Sequence, residues 1–323
     1  MLLAADIGGT KTLVGLFESG APRPRLVASR RYDTGAYPDV EGALAAFLAE
    51  CGPAARLDGA ALGIAGPVLG RSAALTNHAW TVDAASIEQR LRIPRVTLLN
   101  DLEAIAWSVP VLGDDELAIV QAGVPDPSGH AAVIAAGTGL GQAVLHRHDG
   151  RLVPAASEGG HADFAARTDE EFDVVRRLRA QFGRAEVEQV LSGPGLVNLH
   201  RYVHDDSDCT AVEGVAPENR AASITAAART RRCAGCERVV RMFVSAYGAE
   251  AGNLALRALA TAGLFVGGGI APRILPAILA GGFMRAFLDK APMAALLARV
   301  PVKVISSADA GLVGAAVRAQ VVG

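Results

Sequence analysis

Two glycine turns carry the residue types that bind phosphate, and each stands between two short apolar runs. Gly8-Gly9-Thr10 follows residues 2–7, and Gly137-Thr138-Gly139 follows residues 131–136. Glycine lets a backbone bend sharply and approach a ligand, and the N–H groups of such a turn can point at phosphate oxygens. Either turn alone is more simply an ordinary hairpin turn. The pair predicts two halves of the chain that hold one polyphosphate.

Acidic residues stand at the ends of two predicted strands. Asp6 lies just before the first glycine turn, where its charge would repel a phosphate unless a divalent cation lay between them. Asp6 is therefore a candidate for holding Mg²⁺, directly or through water, although alone it is more simply a turn-capping side chain. Asn100 and Asp101 stand where ligands bind in open α/β sheets, at the carboxyl end of a strand. Asp101 could accept a hydroxyl proton while Asn100 orients the same group, and the simpler alternative is that Asp101 caps the next helix.

The segment Glu158-Gly159-Gly160-His161 places two hydrogen-bonding side chains around two glycines. It is too rich in glycine for a helix, and Glu accepts hydrogen bonds while His donates or accepts them. Such a loop suits the dense hydroxyl pattern of a sugar and favours the functional interpretation of Asn100 and Asp101. Glu188 and Asn77 could add contacts, although each alone is typical of a surface residue.

Two common nucleotide-binding patterns are absent from the sequence. It contains no G-x-x-x-x-G-K-[ST], the phosphate loop of many NTPases. Residues 137–141 read G-x-G-x-G and miss the spacing of a dinucleotide turn, which argues against NAD. The glycine turns therefore belong to another kind of phosphate site.

The elements that must position these residues alternate between strands and helices in the first half of the chain, which predicts an α/β domain. The second half opens with a strand and the 131–146 hairpin and then becomes mostly helical. The predicted strands are 2–7, 12–17, 26–32, 60–65, 96–99, 117–120, 264–266 and 302–305. The predicted helices are 40–49, 84–91, 102–109, 169–182, 195–203, 217–229, 236–262, one from about Pro272 and 310–321.

The amino-acid composition limits which classes of protein and which partners are possible. The chain has 323 residues, 51% hydrophobic and 20% charged, with a net charge of −2, which is globular and gives no reason to expect a nucleic-acid partner. No uncharged apolar stretch is long enough to cross a bilayer, so no membrane partner is expected. Four cysteines are too few for a disulfide-built fold and favour a reducing compartment. Cys233 and Cys236 form one C-x-x-C, which without a second C-x-x-C or C-x-x-H nearby favours two thiols in one helical turn over a zinc or redox site.

The chain resembles the bacterial ATP-dependent glucokinases of the hexokinase–actin superfamily. Seven segments carry the resemblance in the same order along the chain. They are Asp6-Ile-Gly-Gly-Thr10, Leu75-Thr-Asn-His-Ala-Trp80, Asn100-Asp101, Ala136-Gly-Thr-Gly-Leu-Gly141, Glu158-Gly-Gly-His161, Leu191-Ser-Gly-Pro-Gly-Leu-Val-Asn198 and Gly267-Gly-Gly-Ile-Ala-Pro272.

The resemblance implies roles for the matching residues. Asp101 would be the general base that takes the proton of the glucose 6-hydroxyl. Contacts with the sugar hydroxyls would come from Asn77, Asn100, Glu158, His161 and Glu188. ATP would be bound by Gly8, Gly9 and Thr10, by Gly137, Thr138 and Gly139, and on the adenosine side by Gly267, Gly268 and Gly269.

The resemblance also implies a fold and an assembly. It predicts the actin-like (ribonuclease H-like) ATPase fold, with two α/β domains around an interdomain cleft. Residues 1–109 with 304–323 would form the small domain, and 110–303 the large α+β domain. The substrates would be ATP with Mg²⁺ and D-glucose, and the enzyme would be a cytoplasmic homodimer. A related repressor–kinase family has a cysteine-rich zinc motif after its E-G-G-H segment, but Ala162-Asp163-Phe164 follows here, so no zinc is expected.

Three alternatives stay open at this point. The chain could phosphorylate another hexose, such as mannose, fructose or an N-acetylated hexosamine, because hexoses share the hydroxyl contacts. It could be a sugar-sensing regulator, although Asp101 and two complete phosphate turns argue against slow turnover. It could be an actin-like structural ATPase, against which the 158–161 loop argues.

Overall fold

The computed structural model describes residues 1–52, 56–76 and 78–322, and the chain divides into two compact units. Unit 1 contains Met1–Asp114, Val153–Ala156 and the segment from Ser307 onward, and unit 2 contains Asp115–Leu152 and Ser157–Ser306. The sequence predicts a boundary at residue 304, whereas Val302–Ile305 is a strand in the sheet of unit 2 and the chain leaves that unit after Ser306.

The strands and α-helices have the following bounds. The strands are β1 (Leu2–Ile7), β2 (Lys11–Glu18), β3 (Arg25–Asp33), β4 (Gly59–Ile64), β5 (Val68–Leu69), β6 (Ser72–Ala74), β7 (Thr81–Asp83), β8 (Val96–Asn100), β9 (Leu117–Gln121), β10 (Ala131–Ala136), β11 (Leu140–His148), β12 (Arg151–Ser157), β13 (Gly263–Gly267) and β14 (Val302–Ile305). The α-helices are α1 (Val40–Glu50), α2 (Ala84–Leu91), α3 (Asp101–Ser108), α4 (Asp169–Phe182), α5 (Gly193–Val203), α6 (Arg220–Arg229), α7 (Ala234–Ala258), α8 (Leu275–Ala277), α9 (Phe283–Leu288), α10 (Ala294–Leu297) and α11 (Ala310–Val322).

The main sheet of unit 1 has the strand order β3-β2-β1-β4-β8. β1 runs antiparallel to β2 and parallel to β4, and β4 runs parallel to β8. In this register Asp6 lies opposite Gly63, and Ile64 lies opposite Asn100. Because the carboxyl ends of parallel strands meet at one edge, the sheet brings the residues that follow β1 and β8 to the same place.

Helix α11 closes one face of this sheet. Its residues Leu312, Ala315 and Ala316 are buried against Leu2 and Ala4 of β1. Gly314 lies so near α3 that a Cβ there would be 1.7 Å from the Ala104 carbonyl oxygen, which only a residue without a side chain allows. The small residues of this helix let it pack closely within unit 1.

The sheet of unit 2 has the order β12-β11-β10-β13-β14-β9. β10 pairs antiparallel with β11 and parallel with β13, which in turn runs parallel to β14. Both sheets therefore contain a hairpin whose first strand also pairs, on its other side, with the first of two parallel strands. A predicted glycine turn joins the two strands of each hairpin. The strand–turn–strand prediction is confirmed for both turns. The long helix α7 crosses this unit with Phe243, Tyr247 and Ala251 buried in its core.

Several local predictions are wrong for identifiable reasons. The helix expected from Pro272 begins as a 3₁₀ turn, Ala271–Ile274, because a proline removes one backbone donor. Helix α7 ends at Ala258 rather than at 262, because Leu259 adopts a left-handed conformation with φ 46°. The sequence does not predict β5, β6 and β7, because strands of two or three residues are too short to show an alternating pattern. It does not predict β12 either, because this exposed, proline-containing segment shows no apolar face.

One stretch of the described residues, Ala271–Leu288, is long and apolar enough to resemble a membrane span by length and composition. Gly281, with φ 94°, interrupts its helical conformation. Its side chains Ile278, Phe283 and Phe287 are fully buried in the core of unit 2. Core packing accounts for these three side chains, whereas Leu279 of the same stretch is 53% exposed.

Candidate active site

Three carboxylates meet at the carboxyl edge of the unit 1 sheet. Burial, and then the negative charges of Asp101 and Asp309, raise the pKa of Asp6 from 3.8 to about 6, while Arg31 acts in the opposite direction. Gly311, in the first turn of α11, lies so close to Asp6 that a Cβ there would be 2.8 Å from the Asp6 Oδ2 atom. A group of carboxylates that repel one another is the environment that a hard divalent cation relieves, so these residues fit Mg²⁺.

Asp101 begins α3 directly after β8 and is exposed to solvent. Its Oδ1 atom accepts a hydrogen bond of 2.8 Å from the Leu102 N–H, which fixes the carboxylate at the helix start. The capping residue is Asn100, not Asp101: the Asn100 Oδ1 atom accepts from the same Leu102 N–H at 2.9 Å. The Asn100 amide also donates to the Gly66 carbonyl at 3.4 Å. The helix cap thus holds Asn100, and the Asp101 side chain lies exposed at the first position of α3.

The first glycine turn is held from behind by a threonine. The Gly8 N–H donates to the Lys11 carbonyl at 2.9 Å and closes the turn between β1 and β2. The hydroxyl of Thr34 donates to the Gly8 carbonyl at 2.8 Å, and its oxygen lies 2.9 Å from the hydroxyl oxygen of the buried Thr12. The bond from Thr34 uses the carbonyl side of the turn, so it fixes the shape of the turn without covering the exposed Thr10. Asn77, a predicted sugar contact, lies outside the described residues.

The second glycine turn of the chain lies against the start of α5. The Gly137 N–H donates to the Gly139 carbonyl, and the Gly193 N–H donates to the Gly137 carbonyl, both at 2.8 Å. Ser192 caps α5 through a bond of 3.0 Å from the Gly195 N–H. A helix N-terminus carries partial positive charge and unpaired N–H groups, so a turn placed beside it is suited to phosphate.

Glu188 is more closely tied to this turn than its predicted role as a sugar contact implies. One carboxylate oxygen accepts a bond of 2.7 Å from the Leu140 N–H. A Cβ at Gly139 would lie 2.6 Å from the same oxygen, so a larger residue there would displace the Glu188 carboxylate. The other oxygen remains for hydrogen bonding to a ligand.

The third glycine turn, 267–269, packs on the end of the neighbouring strand. Gly268 has φ 81°, and a Cβ there would lie 2.3 Å from the Ala136 carbonyl oxygen. The Ile270 N–H donates to that same oxygen at 3.2 Å. Because Ala135 lies opposite Gly267 in the parallel pair β10–β13, the turns at 137–139 and 267–269 share one edge of the unit 2 sheet.

Tyr247 supports both of these turns from inside the core. Its hydroxyl accepts a bond of 3.1 Å from the Ala136 N–H and lies 3.2 Å from the Ile134 carbonyl and 3.4 Å from the Gly267 carbonyl. Burial raises the pKa of this hydroxyl, which stays protonated. Tyr247 looks like core from the helical spacing of α7, and its hydroxyl also ties that helix to the ends of β10 and β13.

The segment 158–161 lies along the start of β11 as a 3₁₀ turn. A Cβ at Gly160 would lie 2.1 Å from the Leu140 carbonyl oxygen, which explains the glycine there. The Nδ1 atom of His161 is 2.8 Å from the Glu186 carboxylate, and its Nε2 atom is 4.0 Å from that of Glu158. The pKa of His161 is raised, chiefly by the hydrogen bond to Glu186. Burial acts in the opposite direction, and the charges of Glu188, Glu186 and Glu158 add to the increase.

The structure therefore groups the candidate residues unit by unit. Unit 1 brings Asp6, Asn100 and Asp101 to one sheet edge, and unit 2 brings Glu158, His161 and Glu188 to the turn at 137–139. Four neighbouring residues were missed by the sequence reasoning: Thr34, Glu186, Tyr247 and Asp309. Glu186 stands two residues before Glu188, and Asp309 opens the final small-residue helix, but neither position alone predicts a contact with the site.

Comparisons with known proteins point to one family. The family model "Glucokinase" matches residues 3–322. A glucokinase of Nostoc sp. (strain PCC 7120) is 37% identical over 334 residues, which cover 98% of each chain. The crystal structure of a glucokinase from an Antarctic psychrotroph superposes with a TM-score of 0.87 at 28% identity, covering 99% of this chain and 98% of that one. A ROK family glucokinase from Streptomyces griseus, in complex with glucose and AMPPNP, shares the fold with a TM-score of 0.66 at 22% identity and 99% coverage of each chain.

Proposed function

This chain belongs to the glucokinase family, and we infer that it transfers the γ-phosphoryl group of ATP to the 6-hydroxyl of D-glucose, giving glucose 6-phosphate and ADP. This is the first step of glycolysis. The observation that carries the inference is the extent of the family match, which runs over residues 3–322 and so includes both glycine turns, Asp101 and the 158–161 segment. The chain is an ATP-dependent sugar kinase with the actin-like ATPase fold.

We propose that Asp101 is the general base. As the glucose O6 atom attacks the γ-phosphorus, the new O6–P bond forms and the bond from phosphorus to the bridging oxygen of ADP breaks in line with it. The O6 proton passes to the Asp101 carboxylate. The bond from the Leu102 N–H holds that carboxylate in one orientation, so it needs little rearrangement before it accepts the proton.

The remaining side chains would bind and orient the substrates. Glu158, His161, Glu188, Asn100 and Asn77 are proposed to contact the sugar hydroxyls. The backbone N–H groups of the turns at 8–10 and 137–139 are proposed to bind the phosphates, with Gly267–Gly269 on the adenosine side. The fixed N–H dipoles at these turns are in place before charge spreads over the transferring group, so they stabilise it without reorganisation.

Asp6, beside Asp101 and Asp309, is the residue that would hold Mg²⁺, directly or through water. When bound, Mg²⁺ would neutralise charge on the phosphate oxygens of ATP. The prediction that the chain holds no zinc was made because no cysteine lies near the segment after His161, and it stays an untested prediction.

The primary test is the release of ADP from Mg-ATP with and without D-glucose. Strong glucose-dependent release is expected, and a panel of mannose, fructose and N-acetylglucosamine under the same conditions would define the sugar range. ADP release at the same rate with and without every hexose would contradict the proposal and favour a structural ATPase. Glucose binding without ADP release would favour a sensor.

Asp101→Asn tests the proposed base. We expect kcat to fall by roughly 10²–10⁴-fold, since that is what general-base catalysis contributes, while glucose still binds. Steady-state kinetics and equilibrium glucose binding measure the two effects separately. Asp114→Asn, at an exposed acidic residue elsewhere in unit 1, is the matched control. Near-normal turnover in Asp101→Asn would contradict the assignment.

We also propose a cytoplasmic homodimer. The resemblance supports the dimer, which light scattering of the purified chain would test, with a monomer mass as the contradicting result. All four cysteines are free thiols in the structure, which is consistent with a reducing compartment.

A further inference from the structure

Five metal-binding side chains converge in unit 2 although they come from three separate segments. His200 lies in the last turn of α5, and His204 is the residue at which that helix ends. Cys209 follows in the loop, Cys233 caps the start of α7, and Cys236 lies in its first turn. The cluster thus lies where the end of α5 meets the beginning of α7.

The distances between the donor atoms match those around one small metal ion. The His200 Nε2 atom is 3.3 Å from the Cys209 Sγ atom, and the Cys209 and Cys236 sulfurs are 3.7 Å apart. The donor atoms of His200, His204, Cys209 and Cys236 all lie within 4.8 Å of one another. Tetrahedral zinc with ordinary bond lengths would separate a nitrogen from a sulfur by about 3.6 Å and two sulfurs by about 3.8 Å.

The backbone around the cluster is shaped to bring the donors together. Gly235, inside the C-x-x-C, lies against the ring of His204, and a Cβ there would be 2.3 Å from two of its ring atoms. The Cys233 sulfur lies 3.7 Å from the His204 Nε2 atom on the same side. His200 and Cys236 are buried, and His204 and Cys209 are half-buried, so the four donors face one another in a partly enclosed site.

One pair of the donors has a spacing found in structural zinc sites. His200 and His204 form an H-x₃-H pair at the end of α5, while Cys236 belongs to a C-x₂-C pair whose other member, Cys233, lies beside His204. Here the histidine pair precedes the cysteine pair along the chain, and Cys209 stands between them. Two thiolates with two imidazoles in a closed tetrahedral arrangement favour Zn²⁺ over harder cations.

We propose that His200, His204, Cys209 and Cys236 bind a structural Zn²⁺ ion that joins the end of α5 to the start of α7. The two thiols release their protons when the metal binds. Four protein ligands leave no open position, so the ion stabilises the fold and takes no part in phosphoryl transfer. The site is separate from the 158–161 segment and uses none of its residues.

The position of the ion has a consequence for the nucleotide turns. The opposite end of α5 donates to the Gly137 carbonyl, and α7 carries Tyr247, whose hydroxyl holds the ends of β10 and β13. A metal that fixes α5 and α7 to each other would therefore stabilise the helices that hold the turns at 137–139 and 267–269 in place. Loss of the metal should lower the unfolding temperature of unit 2 first.

The first test is the metal content of the full chain, purified with a thiol reductant and without chelator and analysed by inductively coupled plasma mass spectrometry. We expect about one Zn²⁺ per chain, and a fall of roughly tenfold or more in Cys209→Ser and Cys236→Ser. Cys51→Ser, at an exposed cysteine in unit 1, is the matched control and should keep its zinc.

A second measurement does not depend on how the variants fold. Apoprotein titrated with Co²⁺ should show the thiolate charge-transfer band and the intense d–d bands of a tetrahedral site, and Gly235→Ala should weaken Co²⁺ binding by displacing the His204 ring. Chain that stays metal-free after incubation with Zn²⁺ and reductant would overturn the proposal. So would full zinc content in Cys236→Ser, or a Cys209–Cys236 disulfide found by peptide mapping of the protein as purified from cells.

Discussion

At the scale of single residues, Asp6 combines a functional requirement with a cost in stability. Its pKa rises from 3.8 to about 6 on folding because the carboxyl is buried near Asp101 and Asp309. Well below pH 3.8 the group is protonated in the folded and the unfolded chain. As the pH rises from 3.8 to about 6, the unfolded chain loses this proton first, so the folded state is progressively destabilised. Above pH 6 the folded state holds a buried charge that the unfolded state leaves in water.

Asp6→Asn should therefore stabilise the chain at pH 8 while lowering its kinase activity. A shift of about two pKa units corresponds to about 2–3 kcal/mol, so we expect the free energy of unfolding to rise by about 1–3 kcal/mol at pH 8 and to change little near pH 4. Thermal unfolding in buffer without added Mg²⁺ would measure this. An Asp6→Asn variant that is less stable than the wild type at pH 8 would show that the carboxylate is favourably paired instead.

His161 gives a second prediction at this scale. His161→Ala should raise the KM for glucose with a smaller effect on kcat, because the residue is proposed to bind the sugar rather than to transfer the proton. Glu186→Gln removes the negative charge from the hydrogen-bond partner that raises the pKa of His161, so the ring should lose its proton at a lower pH. The pH dependence of KM across the neutral range would report that shift. An unchanged KM in His161→Ala would mean that the side chain only packs.

At the scale of elements, the glycine turns differ in how strongly the fold requires them. Gly268 has a positive φ and lies against the Ala136 carbonyl, whereas a Cβ at Gly269 would meet no atom within 4 Å. Gly268→Ala should destabilise unit 2 by about 2 kcal/mol or more, and Gly269→Ala by well under 1 kcal/mol. Thermal unfolding without ATP compares the two directly. Equal losses in both variants would contradict the geometry.

Most elements near the turns follow from local patterns. The run Ala131–Ala136 is wholly apolar and the run Leu2–Ile7 is apolar except for Asp6; both strands stop at glycines, and the structure confirms both limits. Asp309 and Glu186 could not be predicted in the same way, because they reach Asp6 and His161 only through the packing of α11 and of the loop before α5. The His/Cys cluster had a sequence signal, the H-x₃-H at His200, which a search for further cysteine pairs overlooks.

At the scale of the whole molecule, the two units have separate hydrophobic cores. Trp80 and Trp107, the two tryptophans of the sequence, lie in unit 1, whereas the longest helices, α4 and α7, lie in unit 2. Tryptophan fluorescence therefore reports unit 1, and far-ultraviolet circular dichroism is weighted towards unit 2. We expect Asp6→Asn to move the fluorescence transition and Gly268→Ala to move the dichroism transition. If the fluorescence and dichroism transitions shifted equally in each variant, the two units would unfold together as one cooperative unit.

Unit 1 combines the first part of the sequence with its last helix, and this affects how the unit can fold while the chain is being translated. Its sheet is encoded by the first 100 residues, but helix α11, which covers Leu2, Ala4 and Ala61, begins at Ala310. At ordinary rates of translation, a ribosome needs about 10–40 s to make the roughly 200 residues that separate them. Throughout that interval the nascent chain carries an uncovered apolar sheet face while unit 2 emerges and folds. Hsp70-type chaperones should accordingly engage the growing polypeptide at residues 2–4 and 61, and release it once the final helix has left the exit tunnel.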